Sequence, residues 1–280
     1  MGTGPRTGDQ RRRAGLLGCL AALVLLGCTG PADEAGQERP GGNGQQSGEP
    51  GEDAYRVLVY SRTTGFRHDS IPAGVAAVGE LGAAHGFAVD ATEDPAEFTP
   101  DNLRRYAAVI FLNTSGDVLD DAGRTAFEAY IGDGGGFVGV HAAADTEHHW
   151  PFYGELVGAY FARHPQVQPA TVEVVDRTHP ATAHLPARWE RTDEWYDYQA
   201  DPTGARILAT LDETSYTGAE MGQPHPHVWC KTHAGGRAFY TGGGHTIESY
   251  AEPQFRAHLL GGIRYAAGQL PGDCSSANYP

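Results

Sequence analysis

The sequence is short of positive charge, of cysteine and of long apolar runs, and each shortage excludes something. Lys and Arg number 20 against 35 Asp and Glu, a formal net charge of −15. A surface of that sign repels phosphate backbones and anionic headgroups, so nucleic acid is not expected as a partner. Beyond residue 30 no apolar run is long enough to cross a bilayer. No HExxH or comparably spaced metalloenzyme motif occurs, and no internal repeat is evident. Cysteine is confined to Cys19, Cys28, Cys230 and Cys274.

What the N-terminus does contain is a sorting signal. Arg11, Arg12 and Arg13 form a cationic stretch ahead of AGLLGCLAALVLLG, an apolar run too short to span comfortably. It ends in Leu25-Leu26-Gly27-Cys28, which resembles a bacterial lipobox, whose cysteine is acylated and becomes the first mature residue. Residues 1–27 are therefore expected to be a signal peptide of lipoprotein type, with lipidation at Cys28 anchoring the protein to the outer face of the cell membrane. Secretion after an ordinary signal peptide is the alternative, and Sec and twin-arginine export both remain open. Export removes more cations than acids and leaves a still more acidic chain. It also leaves Cys230 and Cys274 in an oxidising compartment, where two thiols tend to pair. A disulfide fastening the tail (271–280) is expected; two unpaired thiols are the alternative, since spacing alone does not bring Cα atoms within bonding distance.

Residues 28–54 hold Pro, Gly, Gln, Ser and acids with no large apolar residue, so no core forms there. They read as a flexible acidic tether. From Tyr55 the pattern becomes YRVLVY, then Ile71, Val75, Val78 and Leu81 at helix spacing, then FAVDA, then AAVIFLN. That is β-α-β-α-β. Asp69-Ser70-Ile71-Pro72 and Thr99-Pro100-Asp101 supply helix starts, each with proline in the first turn. A helix around Phe127, Tyr130 and Ile131 ends at GDGGG, and FVGVH comes next as a fourth strand. Runs such as AVIFL are apolar on both faces, as parallel strands covered by helices on each side must be. WPFYGELVGAYF reads as helical; ATVEVVD, RILATL, HVWCKT and GRAFYTG read as strands; EPQFRAHLLGGIRYAAG closes as a helix. One α/β domain over 55–270 is expected, an open and mostly parallel sheet with its binding crevice at the carboxyl ends of the strands.

Polar residues gather at those ends. Arg67, His68 and Asp69 come after the first strand, Asn113, Thr114 and Ser115 after the third, His141 and Asp145 after the fourth, and His245 and Glu248 after FYTGGG. His141 sits among Gly139, Ala142 and Ala143, small residues that let a strand turn sharply and thrust one side chain forward, as in a nucleophile elbow. An imidazole at that tip suits proton transfer or metal ligation; a buried ring bonded to a carbonyl is the alternative. In WERTDEWYDYQ (189–199) Asp193 and Glu194 are adjacent, so only one is expected to enter a given site. Trp195, Tyr196 and Tyr198 are either a platform for sugar rings or core. His225 and His227 have strand spacing that puts both rings on one face, enough with a carboxylate for a transition metal. His148 and His149 read as loop residues, and His164-Pro165 and His179-Pro180 as turns.

The motifs GFRHDSI, GGGFVGVHAAAD, ARHP, THPAT, TDEWYDY and WCKTHAGGRAFYTGGGH, in that order over about residues 55–268, resemble the trehalose-utilisation (ThuA-like) domain family. The resemblance implies a flavodoxin-like, class I glutamine-amidotransferase-like fold, and His141 then occupies the place where amidotransferase relatives carry a catalytic cysteine. No thiolate can form there, so glutamine hydrolysis through a thioester is excluded. The family is associated with sugar catabolism, particularly of disaccharides oxidised to 3-keto forms. That implies an exported enzyme acting on a (3-keto) glycoside or disaccharide by hydrolysis, elimination or isomerisation. His141, Asp145 and Glu194 would be catalytic, and His68, Arg67, Asn113, Asp193, Tyr196 and His245 would bind substrate. No cofactor is demanded; a divalent metal, if one is held, would fall to His68, His141 and His245. The alternative is a cell-surface lipoprotein that binds carbohydrate without turning it over.

Overall fold

The first strand, β1 (Arg56–Tyr60), sends Val57 and Val59 into one apolar layer and Leu58 and Tyr60 into another, and all four are buried. A strand covered on both faces has no use for polar alternation, which is why RVLVY and AVIFL are continuous apolar runs. The computed structural model describes residues 55–275. The leader, Cys28, the 28–54 tether up to Ala54 and the last five residues of the tail lie outside the described residues.

Numbered in chain order, the helices are α1 (Ile71–His85), α2 (Pro100–Leu103), α3 (Asp121–Gly132), α4 (Pro151–Val157) and α5 (Pro253–Ala266). After β1 come β2 (Ala88–Thr92), β3 (Ala108–Leu112), β4 (Gly136–Val140), β5 (Phe161–Arg163) and β6 (Gln168–Val174). β7 (Arg188–Asp193), β8 (Asp197–Tyr198), β9 (Arg206–Leu211), β10 (His225–His233) and β11 (Gly236–Thr241) complete the strands.

One sheet runs β2-β1-β3-β4-β11-β10-β9-β6-β7, and β5 pairs with β8 apart from it. The pairs from β2 through β11 are parallel. Their order is the flavodoxin-like 2-1-3-4-5, so the expected fold class is the observed one. From β11 onward each neighbour is antiparallel, and the four extra strands widen the parallel half into a mixed sheet. α1 and α5 pack Ile71, Val78, Leu259 and Ile263 on one face with Ile110 and Leu112. α3 and α4 pack Phe127, Ile131, Tyr153 and Leu156 on the other with Val109 and Phe111.

The helix starts act as the sequence suggests, with one difference. Thr99 Oγ1 accepts from Asn102 N at 3.3 Å and Asp120 caps α3 through Gly123 N at 2.8 Å. Ser70 makes no such cap on α1; its hydroxyl instead donates to the Gly244 carbonyl at 3.2 Å, tying the start of α1 to the loop after β11. Tyr160 and Phe161, expected to extend α4, lie past a break at Gly158, whose φ of 96° ends the helix. Cys230 on β10 and Cys274 come together with Cα atoms 5.5 Å apart, within disulfide reach, so the tail is drawn onto the sheet. No helix among the described residues is long and apolar enough to cross a membrane.

Candidate functional site

The parallel strands β1, β3, β4 and β11 end at Tyr60, Leu112, Val140 and Thr241, and residues from the loops beyond those ends build most of the site. At the end of β4 His141 takes φ 47°, a left-handed conformation that costs a non-glycine residue about 1–3 kcal/mol and is found where surrounding contacts fix it. Those contacts are present. The His141 carbonyl accepts from Tyr240 Oη at 2.8 Å, and Nδ1 lies 2.8 Å from the Gly242 carbonyl. A carbonyl only accepts, so Nδ1 carries a proton, and in the uncharged ring Nε2 presents an electron pair.

That Nε2 lies 3.3 Å from Glu194 Oε2 and 3.3 Å from His245 Nδ1, and the latter two are 3.1 Å apart. His68 meets both rings edge-on, with centroids 5.0 Å from each. The donor atoms of His68, His141, Glu194 and His245 all fall within 4.8 Å of one another. Tyr196 covers the His141 ring at 4.1 Å, and the second Glu194 oxygen is 2.9 Å from His164 Nδ1. His141, His68 and Glu194 are buried; His245 is partly open.

Burial, reinforced by the neighbouring His141 and His245, pushes His68 down to about 3 and keeps it uncharged. Burial alone would raise the Glu194 carboxyl, but hydrogen bonds and charge from His141 and His245 outweigh it and hold it below the usual carboxylate range. At His245 burial acts downward and is overcome by the Glu194 hydrogen bond and charge, so the ring is held above the ordinary imidazole value.

Asp193 and Asn113 hold the frame. Asp193 Oδ2 accepts from Gly244 N at 2.8 Å and Ser249 Oγ at 3.0 Å, and Oδ1 accepts from His245 N and Glu194 N, each at 3.0 Å. One buried carboxylate therefore sets both the glutamate and the histidine beside it. Asn113 Nδ2 donates to Ser70 Oγ and to the Gly244 carbonyl, both at 3.1 Å. The loop they grip needs its glycines: Gly244 has φ 111°, and a Cβ there would lie 2.8 Å from Tyr250 Oη. Asp193 and Asn113 are fully buried and neither lines the cavity beside His68 and His245, so their place suits positioning the site rather than the substrate contact expected of them.

Several further expectations are redirected. Asp145 pairs with His148 at 2.9 Å and takes no part in the imidazole cluster. The chain from His141 to Asp145 is a 3₁₀ turn, which puts the fourth residue on about 120° round from the first. Arg67 is exposed and bonds Glu93 at 2.7 Å, outside the cluster. Trp195, Tyr196 and Tyr198 are core, Tyr196 reaching the site only through the face of its ring. His225 and His227 do not act as a pair, because register shifts at Pro226–Trp229 break the strand alternation between them. His225 bonds Glu213 at 2.9 Å and the Tyr196 carbonyl at 2.8 Å, whereas His227 is buried with both nitrogens unpartnered. His164, which reads as a turn residue before proline, is instead the partner of Glu194; only its place in the ARHP motif marked it.

A cavity of about 260 Å³ opens beside His68 and His245. Asp69 and Glu248 line it, and Phe66, Val167 and Ile247, exposed apolar side chains, form its rim. A larger cavity of about 410 Å³, near Arg104, Tyr130 and Arg237, lies at the amino ends of the strands, away from the histidines.

A family profile described as ThuA, trehalose utilisation, matches residues 56–266. Among solved structures, a ThuA-like protein from Bacteroides uniformis is 27% identical, with a TM-score of 0.66 over 78% of this chain and 95% of that one. A ThuA-like protein from Parabacteroides merdae is 20% identical, TM-score 0.65, over 80% and 98%. A beta-galactosidase from Bacillus circulans shares the fold at 12% identity and TM-score 0.52, over 77% of this chain but 31% of the galactosidase. No curated protein matches.

Proposed function

This chain belongs to the ThuA, trehalose-utilisation family, and we propose that within carbohydrate utilisation it is an enzyme acting on a glycoside or disaccharide at the cluster of His68, His141, Glu194 and His245. The observation that carries the reading is convergence. Four polar groups from four separate segments meet at the carboxyl end of a flavodoxin-like sheet, where such folds bind ligands, and a sugar-sized cavity adjoins them. Phe66, Val167 and Ile247 offer apolar surface to the C–H face of a pyranose, and Asp69 and Glu248 offer acceptors to its hydroxyls. A keto group at C3 of such a sugar acidifies the neighbouring C–H and prepares loss or migration of a substituent. The electron pair on His141 Nε2, the Glu194 carboxylate and the His245 ring are grouped to meet the charge and protons that such a step moves.

Cys28 and the leader support export to the outer face of the membrane with a lipid anchor, and the Cys230–Cys274 pairing suits an oxidising compartment. The test of the catalytic reading is incubation of the purified chain with disaccharides and their 3-keto derivatives, followed by product analysis. Turnover lost in His141→Ala with sugar binding retained is the expected result. Sugar binding with no product from the wild type under any condition would make the protein a carbohydrate-binding lipoprotein instead.

A further inference from the structure

The triangle of His141 Nε2, Glu194 Oε2 and His245 Nδ1 has sides of 3.3, 3.1 and 3.3 Å. Hydrogen bonds do not account for all three sides. The Nδ1 proton of His141 is committed to the Gly242 carbonyl, so the uncharged ring has only an electron pair at Nε2. A proton on His245 Nδ1 can point at Glu194 or at His141, and the remaining sides then set electron pairs against one another; a proton on His141 Nε2 as well lets both rings donate to Glu194 but sets two N–H groups against each other on the third side. One cation in the middle satisfies all three at once. Tetrahedral ligation at the usual zinc–nitrogen and zinc–oxygen lengths of about 2.0–2.1 Å requires ligand–ligand edges of about 3.3–3.4 Å. The observed sides are close to that edge.

We infer that His141, Glu194 and His245 ligate a divalent first-row transition metal ion, with His68 beside the fourth position. Two imidazoles and a carboxylate are a donor set that suits zinc and its neighbours rather than magnesium or calcium. The supports are those a metal centre needs. The Gly242 carbonyl fixes the His141 tautomer, His164 Nδ1 lies 2.9 Å from the free oxygen of Glu194 and 2.8 Å from the Pro165 carbonyl, and Asp193 fixes the backbone of both Glu194 and His245. His68, which lines the cavity, contributes a buried, unpartnered Nδ1. A sugar oxygen arriving from that cavity would complete the coordination. The inference deepens the carbohydrate reading, since the ion, rather than His141 directly, would then meet the sugar oxygen, but metal binding itself does not depend on that reading.

The experiment uses the purified full chain, stripped with chelator and titrated with Zn²⁺ and, for a spectrum, with Co²⁺ alone. About one ion per chain and the visible bands of low-symmetry Co²⁺ bound to nitrogen are expected. Glu194→Gln and His141→Ala should weaken Zn²⁺ binding at least tenfold, with far-UV circular dichroism in chelator unchanged. His225→Asn, a change in the separate Asp197–Glu213–His225 group, should leave the stoichiometry alone. A wild type that binds well under one ion per chain and gives no Co²⁺ spectrum overturns the inference, as does full-strength binding in both Glu194→Gln and His141→Ala. Because no sugar is present, an ion without turnover counts against the enzyme alone, and turnover without an ion counts against the metal alone.

Discussion

Asp193→Asn is the substitution in which the support of the site becomes measurable. The carboxylate sits among donors that cannot turn away: Gly244 N and Arg191 Nη2, at 2.8 and 3.2 Å, on one oxygen, and Glu194 N and His245 N, both at 3.0 Å, on the other. An asparagine keeps one oxygen and replaces the other with an NH₂ group, so whichever way it is turned, two donors face a donor. Hydrogen bonds to a charged group contribute about 1.5–3 kcal/mol each, which puts the loss at about 3–6 kcal/mol. Breaking a buried charge pair from one side costs about 3–5 kcal/mol, and because Arg191 keeps Glu252 at 3.2 Å the lower figure applies, so the two routes meet near 3 kcal/mol. For a domain of this size that is a fall in melting temperature of about 6–12 °C. Urea unfolding in chelator at pH 7 reads the stability, and Zn²⁺ affinity, measured in parallel, should drop because Glu194 and His245 lose their common anchor. Exposed Asp69→Asn is the stability control. A loss under about 1 kcal/mol with Zn²⁺ affinity intact would mean that Asp193 neither stabilises the loop nor positions the cluster.

Acid should destabilise the metal-free protein before its carboxylates titrate. Burial pushes His179 down to about 4 and His258 to about 3, with Arg206 acting on the first and His184, Arg191 and His179 on the second. Asp176 beside His179 acts the other way. The unfolded chain takes up protons near pH 6.5 while these native rings do not, so their contribution is complete above pH 6.5 and is lost as pH falls toward 4 and 3. These two rings alone should make stability decline between pH 6.5 and 5 with a slope approaching about 2–3 kcal/mol per pH unit, and a flat urea midpoint over that range would contradict it. Removal of the Cys230–Cys274 link, in a Cys230→Ser, Cys274→Ser double variant, should cost about 4 kcal/mol for a separation of 44 residues. Equal stability of the oxidised wild type and the double variant would show that the link is not formed.

The parallel half of the fold was legible because continuous apolar runs and proline-led helix starts are local signals. β1, α1, β2, β3, α3, β4 and β11 all fall where period and caps place them. β7 and β8 were not, since the buried face of Arg188–Asp193 at the sheet edge is Trp189, Arg191 and Asp193, two of them charged, so no apolar alternation marks the strand. That blind spot matters for the site. Glu194 comes directly after β7, at the far edge of the sheet in pairing order, and only the tertiary path brings it back to His141. His141, by contrast, was marked by its small neighbours and its strand, and the His68 and His245 positions by the strand ends that precede them. Asp193 could be recognised as important but not as a hub for backbone donors, because nothing in TDEW says which of two adjacent acids turns toward the loop after β11. His227 shows the reverse failure: a histidine pattern that invites a metal reading is undone by a bulge that periodicity does not register.

The bend at the end of β4 explains why the chemistry of this site is shared among segments. A cysteine at such a bend would be a nucleophile, and sulfur would do most of its work at one atom. An imidazole in the same left-handed position offers no thiolate, and here its Nε2 is turned to Glu194 and His245, each 3.3 Å away. Glu194, His245 and His68 each arrive on a different loop, so the site exists only when β7, β11 and the loop before α1 are all docked. Ordering three loops costs conformational entropy that no single side chain here recovers. Asp193 and Asn113 recover part of it through backbone hydrogen bonds, and an ion bound only by the assembled form adds about 2.7 kcal/mol at a hundredfold excess over its dissociation constant. If the inferred ion binds, occupancy of the site and order of its loops are one equilibrium: loosening the Asp193 network weakens ion binding, and the ion in turn tightens the loops that carry Glu194 and His245.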